Sequence, residues 1–133
     1  MAETSEDKKQ IGLTPSGAAA MAILMETDQF ATEYDAYKVG IAYAISEGMS
    51  PADAPDGGYH TKFNAAGGLD HYGDVRDVIV ILLPEATKRP YATAERLAEL
   101  GVTALANRFQ AHADMAEILG STLAPDADSA ADS

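Results

Sequence analysis

The stretch TEYDAYKVGIAYAISEG, residues 32–48, constrains the fold more than any other part of the chain. Thr32 has the side chain of a helix N-cap, Asp35 follows three residues later as in a capping box, and Gly48 supplies a stop. Between these signals, large apolar side chains recur at helical steps of three and four: Tyr34, Tyr37, Ile41 and Ile45. The pattern predicts a helix over residues 33–47 with one buried face.

A strand and another helix are predicted before this segment. Thr14 and Pro15 are typical of an N-cap and a first helical position, which indicates a helix over residues 15–25. Residues 8–14, KKQIGLT, place Ile11 and Leu13 on one face of a short strand. Residues 1–7 are small and charged, so we expect them to be disordered.

Residues 49–73 are predicted to form a long connecting loop, because turn-forming residues are concentrated there. A loop of this length inside a compact domain is usually functional or disordered. The prolines and glycines are Pro51, Pro55, Gly57, Gly58, Gly67, Gly68 and Gly73.

The apolar run within DVRDVIVILL, residues 74–83, predicts a further helix with Asp74 as its N-cap and Pro84 as its stop. Because the run is apolar nearly all round, a buried strand remains an alternative. A helix of this kind belongs either at the centre of a fold or at an oligomer interface.

The rest of the chain predicts helical segments on both sides of Gly101, which form one kinked helix or a helical hairpin. We predict the hairpin, a stop at Gly120, and a disordered acidic tail over residues 121–133. The predicted fold class is mainly α. A single small helical domain, residues 8–120, would comprise an N-terminal part (8–48), a Gly-rich connection (49–73) and C-terminal helices (74–120).

Composition excludes several classes of protein. The chain contains no cysteine, which excludes disulfides, thiolate catalysis and cysteine-ligated metal centres. Its first residues lack a signal peptide's apolar region, and no apolar run approaches the ~20 residues that cross a bilayer. A cytoplasmic protein without membrane contact is therefore expected. The formal net charge of −12 disfavours nucleic acid as a partner.

Four residues could contribute to a metal site, since imidazole and carboxylate groups bind zinc, iron and manganese: His60, Asp70, His71 and Asp74. Their spacing matches no ligand motif, so we predict no metal and no cofactor. A small metal-dependent enzyme with His60 and His71 as ligands is retained as an alternative.

The connecting loop also contains candidate partner-binding residues, which combine aromatic faces with polar groups: Tyr59, Lys62, Phe63, Asn64 and Tyr72. They either grip a partner or fold the loop back over the core. In the C-terminal part, Arg96 is expected to pair with Glu95 or Glu99 on a helix surface.

The order of strand, helix, turn and helix over residues 8–48 resembles a ribbon–helix–helix module. Four residues stand near positions of its motif S-x-x-E-x-x-R-x-A-x-x-x-A: Thr32, Asp35, Lys38 and Ala42. The segment is also similar to small accessory proteins of prokaryotic genome-defence clusters of the DNA phosphorothioation type. The resemblance implies strand pairing between two chains and DNA contact through Lys8, Lys9 and Gln10. Against DNA binding, acidic residues occupy the start of the second helix.

The predicted function is that of a non-catalytic accessory subunit in a nucleic-acid-handling or genome-defence system. It would act by oligomerisation and by contact with a larger protein, such as an ATPase or a nuclease. A ribbon–helix–helix regulator that binds DNA through residues 8–12 is an alternative, alongside the metal-dependent enzyme.

Overall fold

A computed structural model describes the backbone of residues 6–130 and the side chains of residues 6–112. Helices dominate the described residues, as the sequence predicts, and they accompany a two-stranded antiparallel sheet. The main elements are β1 (Gln10–Leu13), α1 (Pro15–Glu26), α2 (Glu33–Ser46), β2 (His60–Asn64), α3 (Asp74–Leu82) and α4 (Pro90–Ala130). Short 3₁₀ helices span Pro51–Asp53 and Pro84–Ala86, and a π-helical turn spans Ala65–Leu69.

The first two helices begin where their capping residues predict. The hydroxyl oxygen of Thr14 accepts a hydrogen bond from the backbone N–H of Gly17 at 3.1 Å. Thr32 does the same for the N–H of Asp35 at 3.2 Å. Each bond satisfies an amide of the first helical turn that has no partner within the helix. The predicted ends of both helices are confirmed to within one residue.

The long helix α4 packs against α1, α2, α3 and β1 and forms the centre of the fold. It runs without a break through Gly101 and Gly120, so the predicted hairpin is wrong. Gly101 is needed for a close helix crossing, since a β-carbon there would collide with the backbone carbonyl of Gly40 on α2. The glycine that suggested a helix end therefore marks a helix contact.

The predicted connecting loop, residues 49–73, is wrong over its second half, where β2 and the π-helical turn form. Strand β1 pairs with β2 in antiparallel register, with Ile11 opposite Phe63 and Leu13 opposite His60. The register shifts after Ile11, as in a β-bulge. Only Phe63 of β2 is buried, so the strand carries almost none of the apolar alternation that would identify it.

Side chains from both strands, from all four helices and from the segments between them form one hydrophobic core. The fully buried large side chains are Ile11, Leu13, Met21, Leu24, Tyr37, Leu69, Ile79, Leu97 and Val102. Helix α3 lies at the edge of this core, because Ile79 is its only fully buried residue. Its sequence allowed either a central position or an interface, and the structure excludes the central one.

The segment before β1 is bound to the start of α4. The carboxylate of Asp7 accepts hydrogen bonds from the backbone N–H groups of Tyr91 at 2.8 Å and Ala92 at 2.9 Å. The disorder predicted for residues 1–7 is therefore wrong at Asp7, whereas residues 1–5 lie outside the described range. Of the predicted acidic tail, the backbone of residues 121–130 belongs to α4, and residues 131–133 lie outside the described range.

Candidate functional site

Two buried carboxylates on α4, one helical turn apart, hold the N-terminal strand in place. Glu95 accepts hydrogen bonds from the backbone N–H of Gly12, at 2.9 Å, and from the ammonium group of Lys8. Glu99 accepts hydrogen bonds from the backbone N–H of Thr14 at 3.1 Å and from the Thr14 hydroxyl at 2.6 Å. Buried carboxylates need such donors, because desolvation without them is costly. These two groups therefore fix β1 and the start of α1 against α4.

Tyr37 completes this buried polar cluster from α2. Its hydroxyl donates to the backbone carbonyl of Gly12 at 2.9 Å, and its ring is fully buried. Burial, followed by the charge of Glu95, raises the pKa of Tyr37 well above its usual value. The hydroxyl therefore stays protonated at neutral pH and serves as a hydrogen-bond donor.

A polar cleft with a volume of about 300 Å³ opens beside Glu95. Three cationic residues line it, namely Lys8, Arg89 and Arg96, and Tyr59 with the neighbouring glycines supplies another part of the wall. The ammonium group of Lys8 lies 5.5 Å from the centre of the Tyr59 ring, within the range of a cation–π contact. The cleft thus combines positive charge with an aromatic surface.

The arginines of this cleft have partners that the sequence did not indicate. Arg96 donates to the carboxylate of Asp56 at 3.2 Å, and the Asp56 side chain is 98% exposed. Arg89 donates through Nε to the backbone carbonyl of Glu6 at 3.0 Å. The expected pairing of Arg96 with the glutamates of its own helix is wrong, because Glu95 and Glu99 point into the core.

The predicted partner-binding residues take separate roles. Phe63 is buried, and its ring centre lies 4.6 Å from that of Tyr34 and 5.0 Å from that of Tyr37. Lys62 forms an ion pair with Glu33 at 2.9 Å. Phe63 therefore belongs to the core, which supports the interpretation that this segment folds back over the protein.

The other three members of that set lie nearer the surface. The Tyr59 hydroxyl donates to the carbonyl of Pro55 at 2.8 Å, and burial, followed by Glu99, raises the Tyr59 pKa to about 12. Asn64 accepts a hydrogen bond from Gln10 at 3.4 Å. Tyr72 is 83% exposed. Of the five, Tyr59 is the one that lines the polar cleft.

The candidate metal ligands do not form a metal site among the described residues, which contain no cluster of three or more His, Asp or Glu side chains able to hold one. Asp70 is buried, and its carboxylate accepts the backbone N–H groups of Val75 and Arg76, both at 2.9 Å. The Tyr91 hydroxyl also donates to it, at 2.8 Å. Asp70 thus caps α3, and the prediction that Asp74 does so is wrong.

The two histidines of that set lie elsewhere. His60 is the first residue of β2, and both it and His71 are exposed. The ring of His71 packs edge-on against Tyr72, with 4.7 Å between ring centres. With Asp70 engaged in helix capping, the four residues share no common ligand position.

The candidate DNA-binding residues lie at and before β1. Gln10 begins the strand, Lys8 is engaged with Glu95, and the carbonyl of Lys9 accepts the N–H of Ala65 at 2.9 Å. In a ribbon–helix–helix protein this strand would pair with its copy in a second chain. Here β1 pairs with β2 of the same chain on one side, and Gly12 is bonded to Glu95 and Tyr37 on the other.

An apolar surface covers the outer side of α3. Three large side chains of this helix are exposed there, namely Val78 at 45%, Ile81 at 72% and Leu82 at 53%. A groove of about 170 Å³ adjoins them between α2 and α3. Its lining residues are Lys38, Ile41, Ala42, Ile45, Asp74, Val75, Val78 and Ile79. We call these exposed side chains and the groove together the α3 surface.

Comparison of the chain with protein-family models, with curated proteins and with solved structures finds no match. Among the described residues, no helix combines the length and the apolar character that crossing a membrane requires. The candidate sites therefore rest on geometry, and they are the polar cleft at Lys8, Arg89 and Arg96 and the α3 surface.

Proposed function

We propose that the protein is a non-catalytic assembly protein that pairs with a second copy of itself through the α3 surface. One observation carries the proposal: a helix of nine residues exposes three large aliphatic side chains beside an apolar groove. Contiguous exposed apolar surface of this kind marks interaction sites in proteins.

The sequence of α3 suits contact with its own copy. Its charged residues, Asp74, Arg76 and Asp77, all lie in the first turn, whereas the second half is aliphatic. A two-fold axis through Ile81 would place the two apolar halves against each other with the helices antiparallel. The charged first turns would then lie at the periphery, where they stay hydrated and carry both signs of charge.

The groove supplies the additional contact that a stable dimer needs. Stable interfaces bury about 1,200–2,000 Å² in total, which is more than three side chains on each copy provide. In the antiparallel arrangement, the two Ile81 side chains would meet at the axis, and the contact would extend on either side over the groove to Ile41 and Ile45 of α2. The interface would thus comprise α3 and one face of α2.

Net charge sets the conditions for pairing. Each copy carries a formal charge of −12, so two copies repel one another at long range. Salt screens this repulsion and strengthens apolar contact. Pairing should therefore tighten as salt increases, whereas binding of a basic protein partner to the same acidic chain would weaken.

The wider biological role remains the one that the resemblance implies. We propose that the paired protein serves as an accessory subunit of a nucleic-acid-handling or genome-defence system in the cytoplasm. There it would contact a larger protein such as an ATPase or a nuclease. Co-purification with the products of neighbouring genes tests this part. Recovery of the protein in the paired form alone would contradict the accessory role.

Sedimentation of the purified protein over a range of concentrations tests the pairing. The wild type should reach a dimer, and Ile81→Asp should be monomeric because a carboxylate would be desolvated at the interface. Val39→Asp is the matched control, since Val39 is an apolar residue of α2 with 42% exposure that does not line the groove. It should leave pairing unchanged.

Two results would contradict the proposed pairing. A wild-type protein that stays monomeric at high concentration and high salt would exclude it. An Ile81→Asp variant that still dimerises would assign the contact to another surface. Circular dichroism of Ile81→Asp and Val39→Asp checks that each variant retains its helices.

A further inference from the structure

We propose that the polar cleft beside Glu95 binds a small phosphomonoester, with Arg89, Arg96 and Lys8 as its ligands. None of these residues lies on the α3 surface, so the proposal stands independently of pairing. It goes beyond the assembly role, because it assigns a small-molecule site to the protein.

The concentration of cations at the cleft is the first observation. The chain has nine lysine and arginine residues against 21 acidic ones, yet three of the nine line this single cleft. Cations that merely solubilise a protein are expected to be interspersed with acidic residues over the surface. Three cations against two carboxylates, Asp56 and Glu95, leave this one concave site positive in a chain of net charge −12, which indicates an anionic ligand.

Most hydrogen-bond donors of these cations remain available within the described structure. Arg89 donates to the Glu6 carbonyl, Arg96 to Asp56 and Lys8 to Glu95, with one described side-chain hydrogen bond each. An arginine carries several N–H donors in a planar fork, which matches the oxygens of phosphate. The guanidinium groups therefore retain donors for a ligand.

The Asp56 carboxylate shows where an anion is held. It lies 3.2 Å from the guanidinium of Arg96 while its side chain is 98% exposed. An exposed pair of this kind contributes little free energy, so a better anion can displace it. Gly57 and Gly58 follow directly, and Gly58 has a φ of +87°, a conformation that glycine adopts without strain. The Asp56 carboxylate thus occupies the position beside Arg96 that an anionic group of the ligand would take.

Charge balance selects the class of ligand. Lys8, Arg89 and Arg96 contribute three positive charges, and Glu95, which must stay to hold Gly12, contributes one negative charge. Once Asp56 has been displaced, two positive charges remain. A phosphomonoester carries close to two negative charges at neutral pH and neutralises them, whereas a carboxylate neutralises only one.

The size and wall of the cleft favour an ester over free phosphate. A volume of about 300 Å³ is at the lower end of small-molecule sites and exceeds the space that a phosphate group fills. The ring of Tyr59 lines the same space and offers a surface for the organic part of the molecule. Sugar phosphates and nucleoside monophosphates share this chemistry.

Isothermal titration at low salt tests the site with three phosphate probes, namely ribose 5-phosphate, adenosine monophosphate and inorganic phosphate, and with uncharged ribose as a control. Either ester should bind more tightly than inorganic phosphate, and uncharged ribose should not bind. Arg96→Gln should weaken binding about tenfold or more, as loss of a charged hydrogen bond predicts. Lys88→Gln, which removes an exposed cation outside the cleft, should leave affinity within about twofold.

Because Asp56 would compete with the ligand for Arg96, replacing Asp56 should raise the affinity for the ester, whereas Arg96→Gln lowers it. Asp56→Asn should tighten ester binding several-fold, because the internal competitor is removed. Asp53→Asn makes the same change of charge at an exposed residue outside the cleft and should have little effect. Binding should also weaken from pH 7.5 to pH 5.5, since the ester loses its second charge near pH 6.

Three results would overturn the proposal. Absence of binding by both esters would exclude the site. Equal losses of ester affinity in Arg96→Gln and Lys88→Gln would indicate that the ligand is attracted to any surface cation and that the cleft is not a specific site. Inorganic phosphate that binds as tightly as the esters would exclude recognition of an organic group by Tyr59.

Discussion

The carbonyl oxygen of Gly40 on α2 occupies the space that a β-carbon of Gly101 on α4 would need. Gly40 is confined as well, because a β-carbon on it would lie 2.7 Å from a methyl group of Val102 on α4. The two helices therefore meet backbone to backbone at this point. Glycine at both positions is a requirement of the packing and not of chain flexibility.

Gly101→Ala should destabilise the protein by about 1–2 kcal/mol. Alanine is better than glycine in a helix by up to ~1 kcal/mol, but forced overpacking costs about 1–3 kcal/mol, and here the colliding atom belongs to the backbone. Urea denaturation measures the change. Gly57→Ala is the control, since a β-carbon at Gly57 would have no atom within 4 Å, and it should change stability by less than about 0.5 kcal/mol. Stabilisation by Gly101→Ala would contradict the close crossing.

Glu99→Gln should cost about 1–3 kcal/mol, because the two Thr14 donors bond different carboxylate oxygens and the substitution turns one of these acceptors into an NH₂ donor. The effect should largely vanish in a Thr14→Val background, which a double-mutant cycle detects. Glu33→Gln makes the same change at a partly exposed ion pair with Lys62 and should cost less than about 1 kcal/mol. Equal costs at both glutamates would disprove the role of Glu99.

The Asp70 carboxylate should make stability fall in acid. Burial raises its pKa, but the N–H groups of Arg76 and Val75 and the Tyr91 hydroxyl together outweigh burial and hold the pKa below the usual 3.8. A depressed folded-state pKa gives stability that is present above about pH 4 and is lost as pH falls through the folded-state value.

Asp70→Asn should therefore be less stable than the wild type at pH 7, by about 1–3 kcal/mol, and the difference should shrink below pH 4. Denaturation curves at pH 7, 5 and 3 measure the difference. Asp74→Asn, at an exposed neighbouring position, serves as the control for a general change of charge. A difference between wild type and Asp70→Asn that stays constant over this range would contradict the assignment.

Asp7→Ala should destabilise the protein by about 0.5–2 kcal/mol, the usual cost of losing an N-cap. The reason is that its carboxylate satisfies two amides at the start of α4, those of Tyr91 and Ala92. Glu6→Ala removes a neighbouring negative charge and leaves this cap intact, so its cost should be smaller. Thermal melting of the two variants distinguishes them, and equal melting temperatures would argue against the cap.

Signals within one helical turn made much of the fold predictable. Thr14 and Thr32 cap the helices that they were expected to cap, because a capping bond spans only three residues. The helix at residues 74–83 was also predicted closely, and α3 ends one residue earlier. Its exposure could not be read from the sequence, since an apolar helix is compatible with either a centre or an interface.

Contacts between distant residues were not predictable in this way. Glu95 and Glu99 were expected on a helix surface with Arg96, and nothing nearby in the sequence shows that Gly12 and Thr14 are their partners. Strand β2 was missed for a related reason, because its pairing with β1 defines it and its own pattern does not. The polar cleft depends on the same kind of long-range contact, because Lys8 and Asp56 are brought to Glu95 and Arg96 from distant positions in the chain.

The hydrogen bonds from the first strand to Glu95 and Glu99 also determine when this strand can reach its final position during synthesis. Gly12 and Thr14 find their acceptors 83 and 85 positions further along the chain. Synthesis adds about 5–20 residues per second, so the acceptors on α4 are synthesised several seconds after these amides. A nascent chain that ends before residue 95 contains β2 but neither glutamate, so β1 can be bound to α4 only after the start of the last helix has been synthesised.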